Sequence, residues 1–334
     1  MSWSVAWQVV INGTDRTAGM SSYLMDISVV DKAGATSDSC SLTFDDTAGQ
    51  LRLPQNDEDI VIRLAGVKVF EGIVSSVRSK GSRSAGRVLT VSGKGVDTRG
   101  KAKQGQQFHM DDATLGDFMK TSAEKAGFSI DVHKDLASIK RSYWGNDRQS
   151  FLHLGERMAR EFGATFKVRG KKAVLAPRGS DIGLPMITGV VGSNLIDWDI
   201  EPDSGRGRFS GGSIDYHDRS TGKIETLKSD YDEGASKAEA AEVGRTLAAN
   251  KDEAQQKLDG RKQTSNRSGG KGSATIDIAP NAQAEGLFLL SGARAGVDGT
   301  YKMTSVTHKA SRSGGATTSL QLEQPQGGAG VDGR

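Results

Sequence analysis

The sequence predicts an α+β fold that is mainly β. It comprises two related β-barrel-like domains and an inserted helix-strand-helix-hairpin domain between them. Three observations predict it. Glycine supplies 43 of the 334 residues and proline only 6, which suits short strands joined by tight turns and excludes collagen-like or proline-rich chains. Apolar and polar residues alternate in short runs punctuated by glycine. A segment near residue 80 returns near residue 309, the mark of an internal repeat.

The first domain spans 1–95. Trp7-Gln8-Val9-Val10-Ile11 leads into an Asn12-Gly13 turn, and runs at Leu24 to Val30, Ile60 to Leu64, Lys68 to Val77 and Arg87 to Val91 read as strands. Cys40, the sole cysteine, lies in the alternating run Cys40-Ser41-Leu42-Thr43-Phe44. No intrachain disulfide can form, and burial as a small hydrophobe is the expectation there.

The inserted domain spans 96–185. Asp111 and Asp112 are N-cap candidates for a helix carrying Leu115, Phe118, Met119, Ala123 and Ala126, which Gly127 would stop. Phe128 to Val132 reads as a strand. A second helix opens near Asp147, aligns Phe151, Leu154, Met158 and Phe162, and stops at Gly163. A hairpin over 165–176 turns at Gly170-Lys171.

The second β-domain spans 186–325, with strands at Leu195 to Ile200, Gly212 to Tyr216, Lys223 to Leu227, Ala274 to Ile278, Leu287 to Leu290, Tyr301 to His308 and Thr317 to Leu322. A capping box, Ser236-x-x-Glu239, predicts a helix over 236–258. Residues 260–273 read as a polar, mobile loop and 326–334 as a disordered tail. Residues 75–86 align with 304–315 at a constant offset, with Ser76, Val77, Lys80, Ser82, Arg83, Ser84 and Gly86 identical in both copies. Convergent Ser/Gly-rich hairpins would give a similar composition; duplication accounts better for a gap-free offset that closes two strand-rich regions.

Residues 67–106 hold nine Lys or Arg against Glu71 and Asp97, whereas 1–66 hold nine acidic against four basic side chains. The basic stretch would suit a negative partner, DNA included, but it lacks interleaved aromatics for stacking and reads better as solvated hairpins. The overall charge of +3 implies no nucleic-acid binding by itself. No apolar run reaches the ~20 residues of a membrane span, and the start lacks a leader pattern, so neither membrane insertion nor secretion is expected.

No catalytic, cofactor-binding or metal-ligating residue is assigned, no cofactor is expected, and the chain reads as a non-enzyme. His109, His133, His153, His217 and His308 form no HExxH or i, i+4 pair. Gly95 to Ala102 imitates a phosphate loop but has Ala102 where Ser or Thr must reach magnesium. Asp197, Asp199 and Glu201 alternate beside Trp198. That spacing would suit a glycosidase pair but reads better as a charged strand edge that blocks aggregation. Trp3, Trp7 and Trp198 read as core or interface anchors.

The order of elements resembles the late control gene D family, baseplate hub proteins of contractile-tailed phages. The resemblance rests on Val9-Val10-Ile11-Asn12-Gly13-Thr14-Asp15, Asp112-Ala113-Thr114-Leu115-Gly116-Asp117, and Phe151-Leu152-His153-Leu154 through Glu161-Phe162-Gly163-Ala164. It continues through Gly170 to Gly179 and ends with Asp298-Gly299-Thr300-Tyr301 to Val306-Thr307-His308. It implies a homotrimeric ring with pseudo-sixfold symmetry, two modules per chain, that adapts a sixfold tail tube to a threefold central spike. The implied partners are the chain itself, a spike trimer on a separate polypeptide, the tube protein, the tape-measure protein and neighbouring baseplate proteins, with transient non-specific DNA contact in the lumen. The implied location is the virion baseplate, assembled in the host cytoplasm. A VgrG-like hub of another injection system, or a tail-associated peptidoglycan hydrolase, are the alternatives.

Overall fold

The computed structural model describes residues 3–34, 38–83, 86–95, 100–177, 183–202, 209–231, 239–267, 270–326 and 329. It opens with β1 (Trp7–Ile11), β2 (Thr14–Asp15), the short α1 (Thr17–Met20), β3 (Leu24–Lys32), β4 (Ser39–Asp45), β5 (Asp59–Leu64), β6 (Val67–Ser82) and β7 (Gly86–Lys94). Asn12 and Gly13 take φ of 47° and 73°, as a two-residue hairpin turn requires. Alternation does what the sequence promised: Cys40, Leu42 and Phe44 of β4 are buried, and the residues between them are not.

The middle of the chain holds β8 (Gln106–Thr114), α2 (Leu115–Ala126), β9 (Ser129–Val132), α3 (Lys134–Ala137), β10 (Lys140–Gln149), α4 (Phe151–Glu161), β11 (Ala164–Arg169) and β12 (Lys172–Pro177). Phe118, Met119, Phe151, Leu154, Met158, Phe166 and Leu175 form its core, each worth about 1.5–3 kcal/mol when fully buried. Gly155 lets α4 sit on the Phe166 ring, 2.4 Å from where a Cβ would stand.

Both helix starts differ from expectation. Asp111 and Asp112 lie in β8, and the N-cap of α2 is Thr114, whose hydroxyl accepts from the Asp117 N–H. The second helix begins at Phe151, capped by Ser150 rather than opening near Asp147. The reason is tertiary. Residues 106–114 pair antiparallel with 140–149, and Trp144 of that ladder is buried, its Nε1 donating to the Ala113 carbonyl at 2.9 Å. Gly127 does end α2, in the left-handed region.

Next come β13 (Ile187–Val190), β14 (Leu195–Glu201), β15 (Gly211–Asp218), β16 (Lys223–Asp230), β17 (Ala241–Val243), α5 (Lys251–Arg267), β18 (Lys271–Asp277), β19 (Leu287–Ser291), β20 (Gly299–Ser311) and β21 (Gly315–Gln326). The helix expected over 236–258 is displaced: Ser236 lies outside the described residues, 241–243 is strand, and α5 starts at Lys251. The working cap is Asn250, whose side chain accepts from the Glu253 N–H while Glu253 accepts from the Ala249 N–H. Pairing of 241–243 with β15 holds the earlier segment extended. Of the expected loop 260–273, residues 260–267 belong to α5 and 271–273 to β18, and 268–269 lie outside the described residues. Gly260 packs against the end of α4, where a Cβ would meet the Glu161 carbonyl at 2.7 Å. Of the expected tail, Gln326 ends β21, and the remainder apart from Ala329 lies outside the described residues.

One thirteen-stranded sheet runs β14-β18-β21-β20-β3-β4-β7-β6-β5-β1-β2, with β19 pairing β20 and β13. Two five-strand antiparallel sets within it share one order, β3-β4-β7-β6-β5 and β14-β18-β21-β20-β19. The two sets also share local irregularities. Ladder slips occur between Val74 and Ser76 and between Met303 and Ser305, then between Leu24 and Asp26 and between Leu195 and Asp197. The recurring sequence segments run along the ends of β6 and β20 to the first residues of β7 and β21, Gly86 and Gly315, at φ of 69° and 81°. The sets join where β20 pairs with β3, Ser311 opposite Asp26 and Ser305 opposite Lys32.

Candidate functional site

The chemistry-bearing side chains are dispersed. Among the described residues no three His, Cys, Asp or Glu side chains gather as a metal site. His308 is buried. Its Nε2 lies 3.3 Å from the Ala282 carbonyl and its Nδ1 3.1 Å from the Thr318 hydroxyl. A carbonyl can only accept, so Nε2 carries the proton and Nδ1 accepts; burial lowers the ring's pKa and keeps it neutral. His133 caps α3, His109 stacks on Tyr143, and His153 and His217 are exposed. Cys40 is buried, its thiol pushed up to about 12 by that burial, so it is unreactive. Trp3 and Trp7 pack together against the first β-core, ring centroids 5.4 Å apart. In the loop imitating a phosphate site, 96–99 lie outside the described residues, and Ala102 is buried in a 3-10 turn.

The dense ionic site that sequence reasoning missed joins β11 to β3 of the large sheet. Asp31 of β3 and Asp38, both buried, face Lys167 and Arg169 of β11. Lys167 Nζ pairs with Asp31 Oδ1 and lies 3.7 Å from Asp38 Oδ1. Arg169 Nη2 is 3.2 Å from Asp31 Oδ2, and its Nη1 donates to Gln283 Oε1 at 3.0 Å. The Ala284 N–H also donates to Asp31 Oδ2. Burial pushes the Asp38 carboxyl up to about 6, with Lys167 opposing the rise and Asp31 adding to it. These cations line a cleft of about 360 Å³ together with Lys302 and Glu285. The arrangement clamps β11 to the large sheet; its charges are committed to one another rather than to a reacting molecule. Period-2 alternation hides such a site, because Asp31 takes an inward position where an apolar residue is the rule.

Two sheet edges carry the charges that the sequence singled out. Asp197, Asp199 and Glu201 lie on β14 with the exposed apolar Ile196 and Trp198; Glu201 also sits 3.4 Å from Lys271. Arg78 and Lys80 lie on the exposed end of β6, whereas Lys68 of the same basic stretch is paired with Glu71. Among the described residues, no strand pairs with β14 on its outer edge from Ile196 to Glu201, nor with β6 from Ser76 to Gly81 on the edge away from β7. Exposed strand edges with apolar side chains are sites for association.

Comparison with known proteins finds similarity to phage proteins. No protein-family model matches the chain. It is 25% identical over 187 residues to a probable baseplate hub protein of Escherichia phage 186, covering 54% of this chain and 46% of the relative. The corresponding protein of Escherichia phage P2 is 24% identical over 179 residues, with 53% and 46% covered. The chain thus matches about half the length of these curated relatives.

Among solved structures, the tail protein from Neisseria meningitidis MC58 superposes with a TM-score of 0.70 at 15% identity, covering 97% of both chains. The 43 kDa tail protein of prophage MuSo2 from Shewanella oneidensis gives 0.69 at 13% identity, covering 96% of this chain and 98% of that one. The E. coli c3393 protein, a type VI secretion component with structural similarity to T4 bacteriophage tail proteins, gives 0.57 at 10% identity, covering 98% and 79%. The mainly β chain has the fold of phage tail proteins and is a sequence relative of phage baseplate hub proteins.

Proposed function

We propose that the chain is the structural hub of a contractile-tail baseplate, a homotrimeric ring that adapts a sixfold tube to a threefold spike and performs no catalysis. The observation that carries this reading is the shared strand order of the two five-strand sets, with their ladder slips at matching places. It supports an internal duplication and, with it, a division into two related β-units of 1–95 and 186–325 around the inserted unit of 96–185. Two such units per chain give six in a trimer, so one face can meet a sixfold object while the chain symmetry stays threefold. The ionic clamp of Asp31, Asp38, Lys167 and Arg169 would keep the inserted unit in one orientation around such a ring.

In this reading the tube protein, a separate spike trimer, the tape-measure protein and adjoining baseplate proteins are the partners, and the basic surface contacts DNA only in passing. The place of action is the virion baseplate, after assembly in the host cytoplasm. Electron microscopy of the native particle tests the proposal: three copies between tube and spike are expected, and density elsewhere or in another number overturns it. The same images identify the particle as a phage tail or another injection device.

A further inference from the structure

We infer that Lys167 and Asp31 condense to an amide, a covalent bond between β11 and β3 that Asp38 helps to form. The ion pair described above is the reactant, present in the freshly folded chain. The inference does not depend on the ring reading, since every group it uses lies within one chain.

Four parts of an amide-forming site meet here. The nucleophile is Lys167 Nζ, in contact with Asp31 Oδ1 and 3.3 Å from the Lys32 carbonyl. The electrophile is the buried carboxyl of Asp31. Its other oxygen, Oδ2, accepts from the Ala284 N–H at 3.1 Å and faces Arg169 Nη2 at 3.2 Å. Two donors aimed at one oxygen are what a developing oxyanion needs. The proton carrier is Asp38, which hydrogen-bonds to the Asp31 side chain and has its Oδ1 3.7 Å from Lys167 Nζ. Burial pushes the Asp38 carboxyl up to about 6, which suits a group that takes and returns a proton near neutral pH.

The step balances without any added reagent. An ammonium proton of Lys167 passes to Asp31 Oδ1, giving a neutral amine beside a neutral carboxylic acid. The amine lone pair attacks the Asp31 carboxyl carbon, and the C=O electrons move onto Oδ2, held by Ala284 and Arg169. Asp38 takes the second proton from nitrogen and delivers it to Oδ1. The C–Oδ1 bond breaks, the double bond to Oδ2 re-forms, and one water leaves into the adjoining cleft. One C–N bond is made, one C–O bond is broken, and nothing is oxidised or reduced.

Two physical effects favour the product. Holding amine and acid in contact makes the reaction unimolecular, equivalent to an effective concentration of about 10⁵–10⁸ M. The product also replaces two charges withdrawn from water by one neutral amide, which removes the desolvation cost of the ion pair. Because the partners are 136 positions apart, the bond closes a long loop and fixes β11 on the sheet against a pulling force.

Mass spectrometry of the full chain tests the bond. The denatured protein is expected to weigh one water less than its sequence. Trypsin is expected to release residues 17–32 joined to 161–169, because an acylated Lys167 is no longer cut. Lys167→Arg keeps the cation but not the amine, and is expected to show the full sequence mass with an unchanged circular dichroism spectrum. Asp38→Asn is expected to slow linkage by about 100-fold in a time course after cell-free synthesis; linkage at the parent rate would overturn the part given to Asp38. A folded chain that keeps its full sequence mass after days of incubation, releasing 17–32 unlinked, would overturn the bond itself. So would a water lost within a single peptide, as by ring closure at Asp298-Gly299.

Discussion

Lys167 on β11 pairs through Nζ with the carboxylate of Asp31 on β3, 136 positions earlier, and both side chains are largely withdrawn from water. Removing the cation leaves a buried carboxylate beside Arg169, the Ala284 N–H and the Asp38 side chain. Lys167→Met is expected to lower unfolding stability by about 3–5 kcal/mol, read from the denaturant midpoint. A change below about 0.5 kcal/mol would mean that the clamp is ornamental.

The neighbouring Asp38 gives the clamp a pH signature. Its carboxyl is raised from 3.8 to about 6 by burial in the folded chain. Between those values the folded state binds more protons than the unfolded state, so this group's contribution to stability falls as pH rises from about 4 through about 6. Subtracting the stability profile of Asp38→Asn from that of the unaltered chain is expected to expose this downward slope, flat above about pH 7. A flat difference across the whole range would refute the assignment.

Capping separates the two readings of where α2 begins. The Thr114 hydroxyl accepts from the Asp117 N–H, so Thr114→Ala is expected to cost about 1 kcal/mol. Asp111 is exposed within β8, and Asp111→Ala is expected to change stability by less than about 0.5 kcal/mol. Equal effects from thermal melts of the two variants would restore the earlier start.

At Gly260 helix α5 touches the end of α4, with a Cβ position 2.8 Å from the Gly163 nitrogen as well as close to the Glu161 carbonyl. Gly260→Val is expected to destabilise by about 1–3 kcal/mol through overpacking, despite the better helix propensity of the new residue. Hydrogen exchange should quicken along α5 in this variant; protection equal to that of the parent chain would show that the two helices do not press on each other.

Much of the fold was legible because its signals are local. Alternation in Cys40 to Phe44, the Asn12-Gly13 and Gly170-Lys171 turns and the Gly127 stop each depend on residues a few positions apart, and each lies where expected. Two families of error have a common source. The strand at 140–149 and the placement of α5 depend on partners at 106–114 and in β15, and local propensity yields to such pairing. Ser236-x-x-Glu239 and Asn250-x-x-Glu253 carry the same cap grammar, and only the folded neighbourhood chose between them.

By itself the sequence determined the mainly β class, the two hairpins recurring at one offset and the sites of most turns, since backbone sterics and side-chain period act over a few residues. The tertiary structure alone decided that both strand sets share one sheet, that Asp31 and Asp38 are buried against Lys167 and Arg169, and that Trp198 stands on an exposed edge. Those outcomes depend on which distant surfaces meet. Desolvation of a charge, and the covering of a strand edge, are properties of the contact and not of either segment alone.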